Sequence, residues 1–169
     1  MDYDIKELHE KTSSIEISTA LNLGELDLSA FFDYRIFPEY ILSAYPQWKD
    51  EGRTMQPGDT ILQQVYLPPI PKFSQKVLFG VRIKEVIREE KRTGFSYETL
   101  EGHVECGISR FVLEETGNKV FFRIHTFSKP GSFLTRLLGP VFSLPYQTYC
   151  TNKALKQVKK MLETNHSTL

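Results

Sequence analysis

Apolar and polar residues alternate from Ser14 to Leu23, with β-branched Ile15, Ile17 and Thr19 in phase, a pattern that predicts a first strand ending before Gly24. The period then changes. Between Leu28 and Tyr45 the apolar positions recur at helical spacing, and Pro38 is expected to split the stretch into two short helices, with Pro46 closing the second. Trp48 then precedes an irregular link, Lys49 to Arg53. Strand texture returns with Thr60 to Leu67, which stops at Pro68-Pro69-Ile70-Pro71 because proline cannot continue a central strand. Further alternating runs follow at Val77 to Glu90, Phe95 to Leu100, His103 to Glu114 and Lys119 to Ser128. Turn signals at Lys91 to Gly94, at Glu101-Gly102 and at Thr116-Gly117 separate them, so the middle of the chain reads as an antiparallel meander.

After Ser128-Lys129-Pro130-Gly131 the period is helical again, with Ser132 as a candidate cap and Leu134, Leu137, Leu138, Val141 and Phe142 on one face. Pro140 or Pro145 should kink this section. Beyond it, Ala154, Leu155, Val158, Met161 and Leu162 share a narrow arc, with Lys153, Lys156, Lys159 and Lys160 opposite. A sheet with one face to bury needs a covering layer, and this helix is the element long enough to supply it. The fold class is therefore α+β. One domain is expected over residues 1–169, with its core in 14–163 and flexible ends at 1–12 and 164–169, because a chain of this size buries roughly 70% of its unfolded surface around one core.

Charge refines this picture. The 21 Lys and Arg balance 21 Asp and Glu, which argues against a bulk nucleic-acid binder. The balance is uneven along the chain: residues 1–59 carry twelve acids and five bases, residues 60–115 eight of each, and residues 116–169 one acid and eight bases. The acidic start lacks a secretory signal and no window approaches a membrane span, so the expected location is the cytoplasm, without stable membrane insertion. Cys106 and Cys150 match no zinc spacing and make no disulfide framework. Phosphate loops, a serine nucleophile elbow and a zincin helix are absent, so kinase, dinucleotide-binding, hydrolase and protease readings have no support and no cofactor is expected.

The candidate chemistry lies in two hairpins. A two-residue turn at Glu101-Gly102 would place Leu100 opposite His103, Glu98 opposite Glu105 and Tyr97 opposite Cys106. Like charges directly opposite destabilise a sheet, so Glu98 and Glu105 would need His103, a raised pKa, an arginine or a bound cation to compensate. A turn at Thr116-Gly117 would pair Leu113 with Val120, Phe111 with Phe122, and Ser109 with Ile124. Parity then gathers Glu98, His103, Glu105, Ser109, Phe111, Phe122 and Ile124 on one face, which we expect to be concave, apolar at one end and polar at the other, as ligand pockets are. Metal ligation is not expected, since no second histidine shares that face.

The run from Gly94 through Phe95, Tyr97, Thr99-Leu100, Gly102-His103 and Glu105 to Gly107 resembles the uncharacterised family called domain of unknown function nineteen-ninety. The resemblance extends to Gly52-Arg53, Gly58-Asp59-Thr60, Phe127-Ser128-Lys129-Pro130 and Leu137-Leu138-Gly139-Pro140, with a departure at Ile108-Ser109, where members look more acidic. That family is similar to the Bet v 1 and START-related (SRPBCC) group. The resemblance implies a helix-grip fold: a curved antiparallel sheet around a long carboxy-terminal helix, with two short helices after the first strand. Its implied partner is a small apolar or amphipathic molecule, with no nucleic acid. An acid–base enzyme of cyclase or isomerase type, using Glu98, His103 and Glu105, is the alternative, and a structural or protein-interaction module the third, since fold does not fix function.

Overall fold

The computed structural model describes residues 9–67, 75–101, 103, 105–130 and 140–164, with 67, 75, 105–106, 129–130 and 140–144 in backbone only. Among these, seven strands form one antiparallel sheet: β1 (His9–Ile17), β2 (Leu42–Pro46), β3 (Thr60–Leu67), β4 (Gln75–Glu89), β5 (Arg92–Thr99), β6 (Glu105–Thr116) and β7 (Lys119–Pro130). Strands β2 to β7 follow one another as a meander, and β1 adds to the far edge beside β7. One-turn helices α1 (Ser29–Phe32) and α2 (Gln47–Asp50) sit in the connections flanking β2, and α3 (Pro140–Thr164) packs against β1 and β7.

The segment expected to be a second short helix is β2 instead. Between Pro38 and Pro46 too few residues remain to repay helix nucleation, and the free edge of β3 offers a ladder in which Leu42 pairs with Val65 and Tyr45 with Leu62. Pro46 is tolerated there as the last residue of an edge strand. Trp48, placed by sequence before an irregular link, is buried within α2.

Curvature comes from identifiable places. The β4–β5 ladder slips by one residue between Ile83 and Glu85, a bulge that bends the strand. At Gly107 a Cβ would fall on the carbonyl oxygen of Phe127 and 2.7 Å from Cα of Ser128, so glycine allows β6 to close on β7 there. Gly94 does the same against Phe111 and Val112 of β6. The link into β3 is pinned by Arg53, whose two terminal nitrogens reach Asp59 at 2.8 and 2.7 Å, while Asp59 also accepts from the Gln56 amide at 2.8 Å. That arrangement holds the Asp59 carboxyl below the ordinary carboxylate range, the Arg53 bond being the main cause.

The concave face of the sheet carries Phe95, Phe111, Leu113, Phe122 and Ile124, all buried. Phe31 and Tyr34 from the α1 region fill one part of it, with Phe31 edge-on to Phe122 at 5.8 Å. Ala154, Leu155, Val158 and Leu162 of α3 cover another part, leaving Lys156 and Lys160 exposed, as the amphipathic pattern predicts. Pro145 lies inside α3. The Ser132 cap and Leu134, Leu137 and Leu138 lie outside the described residues.

Candidate functional site

Two strand registers decide what the concave face presents. At the β6–β7 hairpin the turn is Gly117-Asn118, with Gly117 at φ 61°, so Thr116 faces Lys119, Leu113 faces Phe122 and Phe111 faces Ile124. This is two residues away from the expected pairing, and an even slip preserves face parity. Ser109, Phe111, Phe122 and Ile124 therefore share the inner face as expected.

The β5–β6 connection differs in the other way. Glu98 faces Ile108 and Tyr97 faces Ser109, an odd slip from the expected register that sends every β5 side chain to the opposite face. The expected pair of Glu98 opposite Glu105 is thus corrected: Glu98 lies on the outer face, 3.2 Å from Lys84 Nζ. The physical reason is a longer connection. The Leu100 amide continues the β4 ladder to the Gly80 carbonyl at 3.0 Å, the His103 amide turns back to the Leu100 carbonyl at 3.2 Å, and the Thr99 hydroxyl accepts from the Gly107 amide at 3.0 Å. The same slip keeps two carboxylates from facing each other and brings Tyr97 inside. Glu105 opens β6 in backbone, and its side chain lies outside the described residues.

A cavity of about 180 Å³ lies between this inner face and α3. Phe37, Ile41, Val65, Phe111 and Ile124 supply apolar walls, and Gln63, Tyr97, His103 and Ser109 supply polar ones. Phe122, also expected to bind ligand, is fully buried on the same face but packs against Phe31 instead of lining the cavity.

The polar wall is ordered by a hydrogen-bonded chain. Gln63 Nε2 donates to the Tyr34 hydroxyl at 2.7 Å, and Gln63 Oε1 is 3.3 Å from His103 Nε2. An amide oxygen can only accept, so this contact selects the tautomer with the proton on Nε2. Tyr34 in turn bonds to Tyr97, and burial, followed by the effect of Tyr97, pushes the Tyr34 hydroxyl well above its ordinary pKa. It stays a neutral donor at physiological pH. Both Tyr34 and Gln63 are only 2% exposed. Tyr34 also has φ 61°, a left-handed conformation rare for a residue with a Cβ and of the kind that collects at functional sites. The His103 ring is held further by Phe79, 5.0 Å away between centroids.

Sequence reasoning missed Tyr34, Gln63 and Tyr97. A signal existed for Gln63, which shares parity with Ile61 and Val65 in an alternating strand and so is a polar residue at a core position. Tyr34 had none, because the segment around it reads as helix.

A wider cleft of about 540 Å³ lies at the other end of β5, between α1, α2 and Arg88 to Thr93. Arg53 faces it, but that guanidinium is already bonded to Glu51 and Asp59. The smaller cavity, with its buried polar chain, is the better candidate. Among the described residues no three His, Cys, Asp or Glu side chains come together as a metal would require.

Residues 28–157 match the family model described as Domain of unknown function (DUF1990). The chain belongs to the DUF1990 family. A UPF0548 protein of Deinococcus radiodurans is 38% identical over 61 residues, a stretch covering 36% of this chain and 31% of that protein. A hypothetical protein of Helicobacter pylori of known structure is similar in fold, with TM-score 0.60 at 9% identity over 91% of this chain and 88% of that one. A putative uncharacterized protein of Rhizobium leguminosarum gives TM-score 0.49 at 14% identity over 94% of this chain and 97% of its own. The DUF1990 match contains Tyr34, Gln63, Tyr97 and His103 together.

Proposed function

We propose that this DUF1990 chain binds a small apolar or amphipathic molecule between its sheet and α3, as a cytoplasmic relative of the Bet v 1 and START helix-grip group. The long helix laid over one face of a curved antiparallel sheet supports that kinship. The observation that carries the binding reading is the cavity itself, apolar over most of its wall and closed at one side by the Tyr97–Tyr34–Gln63–His103 chain. A cavity of about 150 Å³ lined by apolar side chains is enough to take benzene, so about 180 Å³ suits a ring or a short chain. The polar chain would orient a ligand by donors and acceptors already aligned before binding.

The acid–base alternative, as a facing pair of Glu98 and Glu105, is not carried forward, because Glu98 lies on the outer face with Lys84. His103 remains a ligand-orienting group. Native mass spectrometry of the protein purified from the cells that make it tests the reading: a retained small molecule, released on unfolding, is the expected result. Failure of both endogenous ligand and small apolar probes to bind, with the fold intact, would refute it.

A further inference from the structure

We infer, resting on the binding reading above, that the molecule held in this cavity carries a hydroxyl group, as a phenol or a cyclic alcohol does, gripped between the side chains of Ser109 and Thr126.

Strand register brings the two residues together. Ser109 of β6 faces Thr126 of β7, and on its other side it faces Tyr97 of β5. Directly opposed residues on one face hold their Cβ atoms about 4.5–5.5 Å apart, so the oxygens of Ser109 and Thr126 can flank a single ligand atom. Both residues line the cavity. Tyr97 joins them to the hydrogen-bonded chain that runs on through Tyr34 and Gln63 to His103.

Burial shows that this pair is incomplete. Ser109 is only 8% exposed, and among the described residues its hydroxyl makes no hydrogen bond, although the cavity leaves it within reach of solvent. Asp59, Gln63, Thr93 and Thr99, also buried, all have partners. Ser96 has none, but it lies on the outer face opposite Arg110, away from the cavity. A hydroxyl kept from water without a partner is costly, so the site favours a ligand that supplies one.

The inventory of donors and acceptors narrows the class. Thr126 Oγ1 donates to the Lys11 carbonyl at 3.4 Å, so toward the cavity it can only accept, whereas Ser109 can donate or accept. A ligand hydroxyl answers both at once, donating to Thr126 and accepting from Ser109. A carbonyl or ether oxygen accepts only and leaves Thr126 unanswered; a hydrocarbon answers neither. The next inner pair along the same two strands is Phe111 and Ile124, two residues or about 6.5–7 Å away. That is about the length of a six-membered ring with one substituent, so ring carbons would rest on Phe111 and Ile124 while the hydroxyl reaches Ser109.

The test titrates the full chain with phenol and with toluene, which has a methyl in place of the hydroxyl, followed by calorimetry and by amide NMR shifts. A wholly apolar cavity would prefer toluene, because a hydroxyl buried without partners loses its hydrogen bonds to water. Here phenol should bind about tenfold more tightly than toluene, the size of one buried hydroxyl left unpaired. Shifts should centre on Ser109, Ile124 and Thr126. In Ser109→Ala the preference should vanish, phenol weakening by about tenfold while toluene binds as before, and Thr126→Val, which keeps the shape and removes the acceptor, should weaken phenol several-fold. Toluene binding to the native chain as tightly as phenol, or either variant leaving phenol unaffected, would overturn the hydroxyl grip and leave the cavity reading standing. No binding of either probe by the native chain would overturn both.

Discussion

The Tyr34–Gln63 bond offers a measurement in which the sign of an interaction energy, more than its size, is diagnostic. Tyr34→Phe removes the hydroxyl that accepts from Gln63 Nε2 at 2.7 Å, in a site where both residues are 2% exposed. With so little of the site open to solvent, the amide nitrogen left without this acceptor carries a desolvation cost of about 1–3 kcal/mol, less to the extent that a water in the cavity reaches it. For a domain of this length a loss of about 2 kcal/mol lowers Tm by roughly 4–8 °C. Gln63→Leu should cost a comparable amount, since it removes the Tyr34 contact and the His103 contact at 3.3 Å together. In the double variant the orphaned amide no longer exists, so the two losses should sum to less than their parts by about 1 kcal/mol or more. Urea unfolding of the four proteins, with unchanged m-values, reads this directly. Additivity within about 0.5 kcal/mol would refute the reasoning, because it would mean that the pair is not coupled in the folded state.

Other outcomes follow from the same geometry. Gly107→Ala should prevent β6 from closing on β7, lowering stability by about 3 kcal/mol or more as overpacking against backbone, whereas Gly24→Ala, with nothing within 4 Å of the added carbon, should unfold near wild type in the same denaturant series. Trp48→Ala should cost about 3–5 kcal/mol by cavity formation beneath α2, a loss that thermal unfolding would register. The Arg53 contact depresses the folded-state pKa of Asp59, so its stabilisation is complete above the unfolded value of about 3.9 and is lost as pH falls through the lower folded value. Asp59→Asn should therefore be less stable at neutral pH and show a flatter loss of stability on acidification, measured by denaturant midpoints across that range.

Much of the fold was legible from periodicity. Thr60–Leu67 is a strand over its predicted span, and Ala154, Leu155, Val158 and Leu162 bury the face that the helical wheel assigns them. The candidate site was legible only where turn errors preserved parity. The two-residue slip at Gly117-Asn118 left Ser109, Phe111 and Ile124 on the cavity side, whereas the odd slip at Leu100–His103 exchanged Glu98 for Tyr97. Register there depends on which backbone amides find partners, and the Leu100 bond to Gly80 involves a third strand that no hairpin rule considers. Tyr34 and Gln63 belong to segments far apart in the chain that meet only when the meander curves over the α1 region, a tertiary event without local signature.

The placement of β1 has a temporal meaning. Its partner strand is the last of the sheet, with His9 opposite Ser128, and the Ser18 amide bonds to Glu163 Oε1 at 2.6 Å across 145 residues of sequence. At about 5–20 residues per second of synthesis, the first strand made must wait roughly 5–25 s before β7 exists to receive it. In that interval β2 to β6 can form hairpin by hairpin from neighbours, while the concave face lacks α3. The cavity, whose lining includes Lys11 of β1 and Gln147 of α3, is thus assembled from segments made far apart in time, so ligand capture should begin only after β1 and α3 have both docked.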